Sequence, residues 1–308
     1  MGNQQEAGGE MKQLMKRLMV ITLVVLSIIV LLAIGVSIFI HNELEKRTHE
    51  RISYYQSIKS VLLLNFDSDS ENKLKADRKK FDYGGISIYY HDNFSEILPL
   101  TKETIDWAKA KNRELFGDIK ERHVDLIVFE DREEMSEFAD LPDISGFYSD
   151  FDRLMAINYS NKEYILQKNE TQLYFFQKSI LHEYTHYIFQ RMVDKSKEGI
   201  SAYPTWFNEG ISEYVGNDQT TVEYSISKVV PFDQLHDGTQ WQEARNQEGT
   251  NVYEQSYFAV KYLIDAFGTD TLKQIIQTTN QTGDFETSFK EATGIPTSEL
   301  ETKITQMQ

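Results

Sequence analysis

The sequence contains no cysteine. Disulfides and thiolate metal sites are therefore excluded, and any metal must be held by His, Asp or Glu. Proline is scarce, with five residues in 308, and glycine numbers sixteen. So few chain breakers leave little room for a long disordered region. Basic residues are also in deficit, and the formal net charge is −16. Such a surface repels phosphate backbones, which sets nucleic acid aside as a partner. The excess acid serves solubility or steers cationic substrates. What the chain does have is 40% hydrophobic residues, with 17 Tyr and 18 Phe, suited to a well-packed core.

Charge is missing altogether from one segment. Leu18 to Ile40 is 23 residues long and holds neither a charge nor a proline. That is long enough to cross a hydrocarbon core of about 30 Å at 1.5 Å per residue. A cleaved signal peptide has a shorter apolar run and a small-residue cleavage site, and His41-Asn42-Glu43-Leu44 offers none. An uncleaved transmembrane helix over residues 18–40 is expected, with the lipid bilayer as a partner. Lys12, Lys16 and Arg17 precede the span, while Lys46, Arg47 and Arg51 follow it among acids. This slight bias, and a tail of only residues 1–17, place the N-terminus in the cytoplasm and the C-terminal domain outside a cell membrane. Met1-Gly2 opens like a myristoylation signal, but Glu6 stands where Ser or Thr is needed.

Residues 41–80 read as a stalk, and the folded domain is expected over 81–308. Its first half alternates strands and helices. Ile86–Tyr90 and Val124–Phe129 read as strands, Pro99–Phe116 and Glu133–Ala139 as helices. Residues 146–148 and 154–157 read as a hairpin. Helices then dominate, over Thr171–Met192, Pro204–Gly216 and Val252–Phe267, with two or three more in the tail. The fold class is α+β. The β-like stretch Arg153–Tyr159 is either an edge strand that receives an extended substrate or part of a core hairpin.

The chemistry concentrates in His182-Glu183-Tyr184-Thr185-His186, an HExxH pattern on an expected helix. Residues four apart share a helix face, so the two imidazoles can hold one Zn²⁺. Glu183 then points toward water activated by the metal and can take its proton. A catalytic zinc needs a third protein ligand. Glu209, in Trp206-Phe207-Asn208-Glu209-Gly210, lies 23 positions after His186, room for a loop and a returning helix. Glu213 follows one turn later. It either orients a ligand His through the free ring N–H or is a solvated carboxylate. His91, His123 and His236 have no partner at metal spacing.

HEYTH followed by WFNEGISEY resembles the gluzincin clan of zinc peptidases. The chain is most similar to the bacterial peptidase MA-like group, whose pattern is HExxH, P-x-W-x-x-E-G, Y-x-Q-S and a helix ending in Phe-Gly. Pro204, Trp206, Glu209, Gly210, Tyr253, Gln255, Ser256, Phe267 and Gly268 match it. The resemblance covers roughly residues 81–301 and implies a zincin-like domain with one zinc per chain. It implies His182, His186 and Glu209 as ligands, Glu183 as general base, and Glu213 behind a ligand His, where Asp is usual. It also implies an oxyanion donor, Tyr253 with Tyr257 as runner-up. The HExxH-to-Glu gap is longer than in the aminopeptidase branch and no GxMEN stretch is present, so the resemblance does not extend to aminopeptidase activity.

The expected function is that of a membrane-anchored zinc metallopeptidase acting on a peptide or protein. Two other readings stand beside it: a zinc hydrolase of a non-peptide amide or ester, and a zincin-fold binding or sensor module with little catalysis.

Overall fold

The computed structural model describes residues 2–48, 54, 57–58, 67–142, 144–194, 196, 198–217 and 224–307. It divides into two compact units, Met1–Asn72 and Lys73–Gln308. In the first, helix α1 (Gly2–Thr48) contains the uncharged run. Its stretch Met19–Asn42 is long and apolar enough to cross a membrane. Residues 41–48 of the expected stalk complete α1, and most of 49–66 lies outside the described residues. Helix α2 (Asp69–Ala76) follows.

The second unit starts earlier than the expected boundary at Phe81. Strand β1 (Lys79–Tyr83) pairs antiparallel with β2 (Ile86–Tyr90), Lys79 opposite Tyr90 and Lys80 opposite Tyr89. Residues 73–80 therefore belong to the domain and not to a stalk. Gly84 and Gly85 join the strands with φ of +58° and +85°. Two consecutive positive φ values give the type I′ turn that matches strand twist, and only glycine adopts them without strain. Charged residues on this outer strand also discourage pairing with another chain.

The sheet continues through β3 (Val124–Phe129), β5 (Leu154–Asn158) and β4 (Gly146–Ser149), in the order β1-β2-β3-β5-β4. The inner pairs are parallel and the outer pairs antiparallel. Alternation splits the inner strands between two cores. Leu126, Val128, Met155 and Ile157 face the large helical core. Ile127, Phe129, Leu154 and Ala156 face a smaller cluster with Met135 of helix α4 (Arg132–Ala139). Helix α3 (Leu98–Phe116) separates β2 from β3, supplying the crossover that parallel pairing requires.

Helices make up the second half. After the short α5 (Lys162–Leu166) come α6 (Glu170–Val193) and α7 (Thr205–Gly216). Then follow α8 (Gly238–Arg245), α9 (Val252–Phe267), α10 (Asp270–Thr282), α11 (Phe285–Thr293) and α12 (Leu300–Thr305). Asn169 caps α6 by accepting from the Gln172 amide, and Asn251 caps α9 by accepting from that of Glu254. The α+β class of the sequence reading holds, with the mixed sheet first and the helices after it. Trp206 and Phe207 of α7 pack edge-on against each other and against Phe285 of α11. This aromatic contact ties the tail to the central helices.

Helix α7 also lies close against α9. A Cβ built at Gly210 would come within 2.5 Å of the Ser256 carbonyl oxygen. Backbone cannot yield as a flexible side chain does, so Gly210→Ala must push the helices apart. We predict a loss of about 1–3 kcal/mol in unfolding free energy, the usual cost of overpacking, measured by denaturant unfolding.

Candidate metal centre

Helix α6 places His182 and His186 one turn apart on one face and Glu183 beside them. Helix α7 returns with Glu209 and Glu213, also one turn apart. The donor atoms of His182, His186 and Glu209 all lie within 4.8 Å of one another. The two Nε2 atoms are 3.0 Å apart, and Glu209 Oε2 lies 3.4 Å from one and 3.5 Å from the other. A tetrahedral zinc with bonds of 2.0–2.1 Å spaces its ligand atoms about 3.3 Å apart. The three distances bracket that spacing.

Each imidazole is oriented from behind. The Glu213 carboxylate only accepts, so His182 Nδ1–H donates to Oε1 at 3.1 Å. His186 Nδ1–H donates to the side-chain oxygen of Asn208 at 3.2 Å. Both Nε2 lone pairs then face inward. Two acceptors held 3.0 Å apart require a proton or a cation between them, so the donor set fits a metal ion.

Electrostatics point the same way. Burial works against a charged His182, yet the hydrogen bonds it donates to Glu209 and Glu213 outweigh it and raise its pKa to about 10. Burial would also raise Glu209, but the His186 and His182 rings hold it below the usual carboxylate range. Carboxylates that draw a proton so firmly onto His182 draw a divalent cation for the same reason. Glu183 is pushed the other way, upward, chiefly by burial, and its imidazole neighbours only partly offset this. A raised carboxyl pKa suits a group that must both take and release a proton.

A cleft of about 340 Å³ opens beside these residues, lined by Gly146, Lys178, His182, Glu183 and Tyr253 among others. Gly146 of β4 lies so near Glu183 that a Cβ there would meet Oε1 at 2.7 Å. The Tyr253 ring sits 6.5 Å from that of His182 and packs edge-on against Trp241. Burial raises its pKa, which keeps the hydroxyl a donor. Tyr257, the runner-up, packs instead against Tyr214 and Tyr224 and does not line the cleft. Of the remaining histidines, His123 bonds Ser87 and Asp125.

Residues 156–307, which carry His182, Glu183, His186, Asn208, Glu209, Glu213 and Tyr253, match the model of the peptidase MA superfamily. The chain is also 34% identical over 215 residues to a Bacillus subtilis (strain 168) protein named "Uncharacterized protein YhcO", covering 70% of this chain and 67% of that one. The chain belongs to the peptidase MA superfamily. Members of this superfamily are generally zinc-dependent, in keeping with a donor set of two imidazoles and a carboxylate.

In this superfamily member, sequence reasoning brings His182, Glu183, His186, Glu209, Glu213 and Tyr253 together; the fold sets His182, Glu183, Glu213 and Tyr253 along the cleft, with the His186 and Glu209 donors beside that of His182. The two readings left open for Glu213 resolve towards His182, since its side chain is only 4% exposed. Asn208, Lys178 and Gly146 are additional. Asn208 was legible through its place beside Glu209, one residue along a returning helix. The edge strand differs as well. Leu154–Asn158 is interior to the sheet, and β4 ends it, so the edge beside Glu183 is Gly146–Ser149. Four consecutive buried residues in β5 explain why: a strand covered on both faces cannot be an open edge.

The donor set predicts one divalent cation per chain. Zinc analysis of purified protein should give about one equivalent, and His182→Ala or His186→Ala should lower occupancy strongly. Full occupancy in both variants would rule the assignment out.

Proposed function

We propose that this chain is a membrane-anchored zinc metallopeptidase. The observation that carries the reading is the convergence of two imidazoles and one carboxylate at zinc-ligand spacing, with a fourth group, Glu183, poised at the same cleft. His182, His186 and Glu209 would hold the ion. When bound, zinc supplies a Lewis acid and makes water at the site acidic enough to be deprotonated near neutral pH.

The protein groups supply the remainder. Strand β4 is the terminal strand of the sheet, so an extended peptide can add to its free edge with the scissile bond alongside Glu183. The near contact between Gly146 and Glu183 supports this placement, because only a strand without a side chain there lets the backbone pass so close. Glu183 accepts a proton from the attacking water and delivers it to the leaving amine nitrogen, the task that its raised pKa fits. The Tyr253 hydroxyl donates to the oxygen that gains charge as the carbonyl becomes tetrahedral. The cleft is lined by both acidic and basic side chains, Glu254 and Arg245.

The apolar stretch of α1 supports the anchor, and the bases Lys12, Lys16 and Arg17 support a cytoplasmic N-terminus with the peptidase domain outside the cell. Protease added to intact cells should then digest the domain. Digestion only after lysis would reverse the orientation.

The catalytic assignment separates rate from metal. Glu183→Gln keeps the shape of the side chain and all three donors, so zinc content should equal that of the parent. Peptide hydrolysis should fall by about 10²- to 10⁴-fold, the range for loss of a general base. Tyr253→Phe should also retain zinc and lower kcat by about 10²- to 10³-fold, as for loss of one oxyanion donor. Undiminished turnover of Glu183→Gln on a peptide library would sink the mechanism.

A further inference from the structure

Behind His182 lies a set of contacts that the reaction itself does not use. Lys178 stands one turn before His182 on α6. Its Nζ donates to Glu213 Oε2 at 2.8 Å and also to the Tyr224 hydroxyl at 2.8 Å. Tyr224 in turn donates to the same Oε2 at 2.8 Å. Two donors therefore occupy one oxygen of Glu213, and Oε1 is left for His182 Nδ1 at 3.1 Å. Tyr174 closes the set from the far side, between Tyr224 at 3.0 Å and the Asn217 side-chain oxygen at 2.8 Å.

Helix α7 is shaped around this lysine. A Cβ at Gly216 would meet Lys178 Cγ at 3.1 Å, tighter than ordinary contact, so the aliphatic stem crosses the helix where a side chain is missing. A lysine free to swing into solvent would need no such gap. The charge is also needed where it is. Glu213 is 4% exposed, and a buried carboxylate facing an imidazole alone would be poorly compensated.

We infer that Lys178 and Tyr224 are positioning residues of the metal centre, which clamp Glu213 by one oxygen so that the other fixes the His182 ring with its Nε2 toward the ion. This rests on the proposed zinc site. The two imidazoles are then held by different means. His186 leans on the neutral amide of Asn208, within the same helix that carries Glu209, whereas His182 depends on an ion pair that spans α6 and α7. Removing the clamp leaves all three metal donors in the chain but lets Glu213 rotate or turn its charge elsewhere. The loss should therefore appear as weaker metal binding, of the size seen when groups behind a ligand are removed.

The test is zinc affinity of the full chain in detergent micelles, stripped by chelator and titrated against a competing zinc dye. The variants are Lys178→Met, Tyr224→Phe, Lys178→Arg and the Lys178→Met/Tyr224→Phe double mutant. Lys178→Met should weaken zinc by about 10- to 100-fold. Tyr224→Phe should weaken it less, since Lys178 remains on Oε2. Lys178→Arg should recover part of the affinity. The double mutant should lose less than the product of the single effects, because both residues act through one oxygen. Thermal unfolding of each variant checks that it is folded. Should Lys178→Met fail to fold, Tyr224→Phe carries the test, since it removes a single oxygen atom. Folded variants with the parent's zinc affinity would overturn the positioning role while leaving the metal site standing. A parent that binds no zinc would overturn both.

Discussion

The crossing of α7 over α6 is the constraint on which the rest of the site depends. Neither helix alone makes a binding set. One contributes His182, Glu183 and His186, the other Asn208, Glu209 and Glu213. Periodicity fixes the spacing within each helix, but the distances between helices are set only by packing. Glycine at 210 and 216 allows that packing to be close, on one side against α9 and on the other against the stem of Lys178. The aromatic contacts of Trp206 and Phe207 then hold α7 at that depth. A shift of α7 by half an ångström would move Glu209 and Glu213 together. The donor set and its support would degrade as one.

Concentrating charge in this crossing is costly, and the arrangement of partners determines whether the cost can be met. A buried carboxylate loses hydration worth several kcal/mol even after relaxation. Glu213 recovers it through three hydrogen bonds, two of them with a charged partner or an imidazole, each worth about 1.5–3 kcal/mol. Its pKa accordingly falls to about 2: burial opposes ionisation, but Lys178 and His182 win. Glu183 stands in contrast. Burial raises it and only the neighbouring rings oppose that effect. Two carboxylates in one buried site thus carry different proton affinities because Lys178, Tyr224 and His182 donate to one, while burial dominates the other. In the proposed mechanism, that difference divides a supporting group from a proton carrier.

Legibility in the sequence follows the same division between local and non-local order. The HExxH face is local to one helix, and so was readable, as were Val252–Phe267 and the strands of the inner sheet. Glu209 needed only a loop and a return. Strand β1 escaped because Lys79 and Lys80 fall within the stretch 41–80 read as a stalk, although Tyr83-Gly84-Gly85-Ile86 is a strong hairpin signal. Helix α8 carried a complete capping box at Asp237 and Gln240 that went unread. Lys178 is of another kind. A lysine four residues before a histidine looks like a solvated helix position. Its partner Tyr224 comes from beyond α7 with no periodic relation to it, so no spacing rule could join them.

The same dependence on non-local contacts extends to the β4 side of the cleft. Strand β4 has a neighbour on one edge only, and a strand so placed is free to twist away. It is fixed at its far end instead. The Tyr148 hydroxyl donates to Asp150 at 2.6 Å, and Asp150 pairs with Arg191, which also holds Asp194 at 2.8 Å. Arg191 lies on α6, slightly more than one turn past His186, and its side chain is 3% exposed. The Tyr148 ring meets Tyr187 of the same helix edge-on. The helix that bears the metal donors therefore also grips the turn beyond the strand, while Gly146 at the strand's other end rests against Glu183. Strand and helix are held at both ends of their overlap. A peptide added to the open edge of β4 would inherit that alignment, so the distance from its carbonyls to Glu183 would be set before it binds and not by its own binding energy.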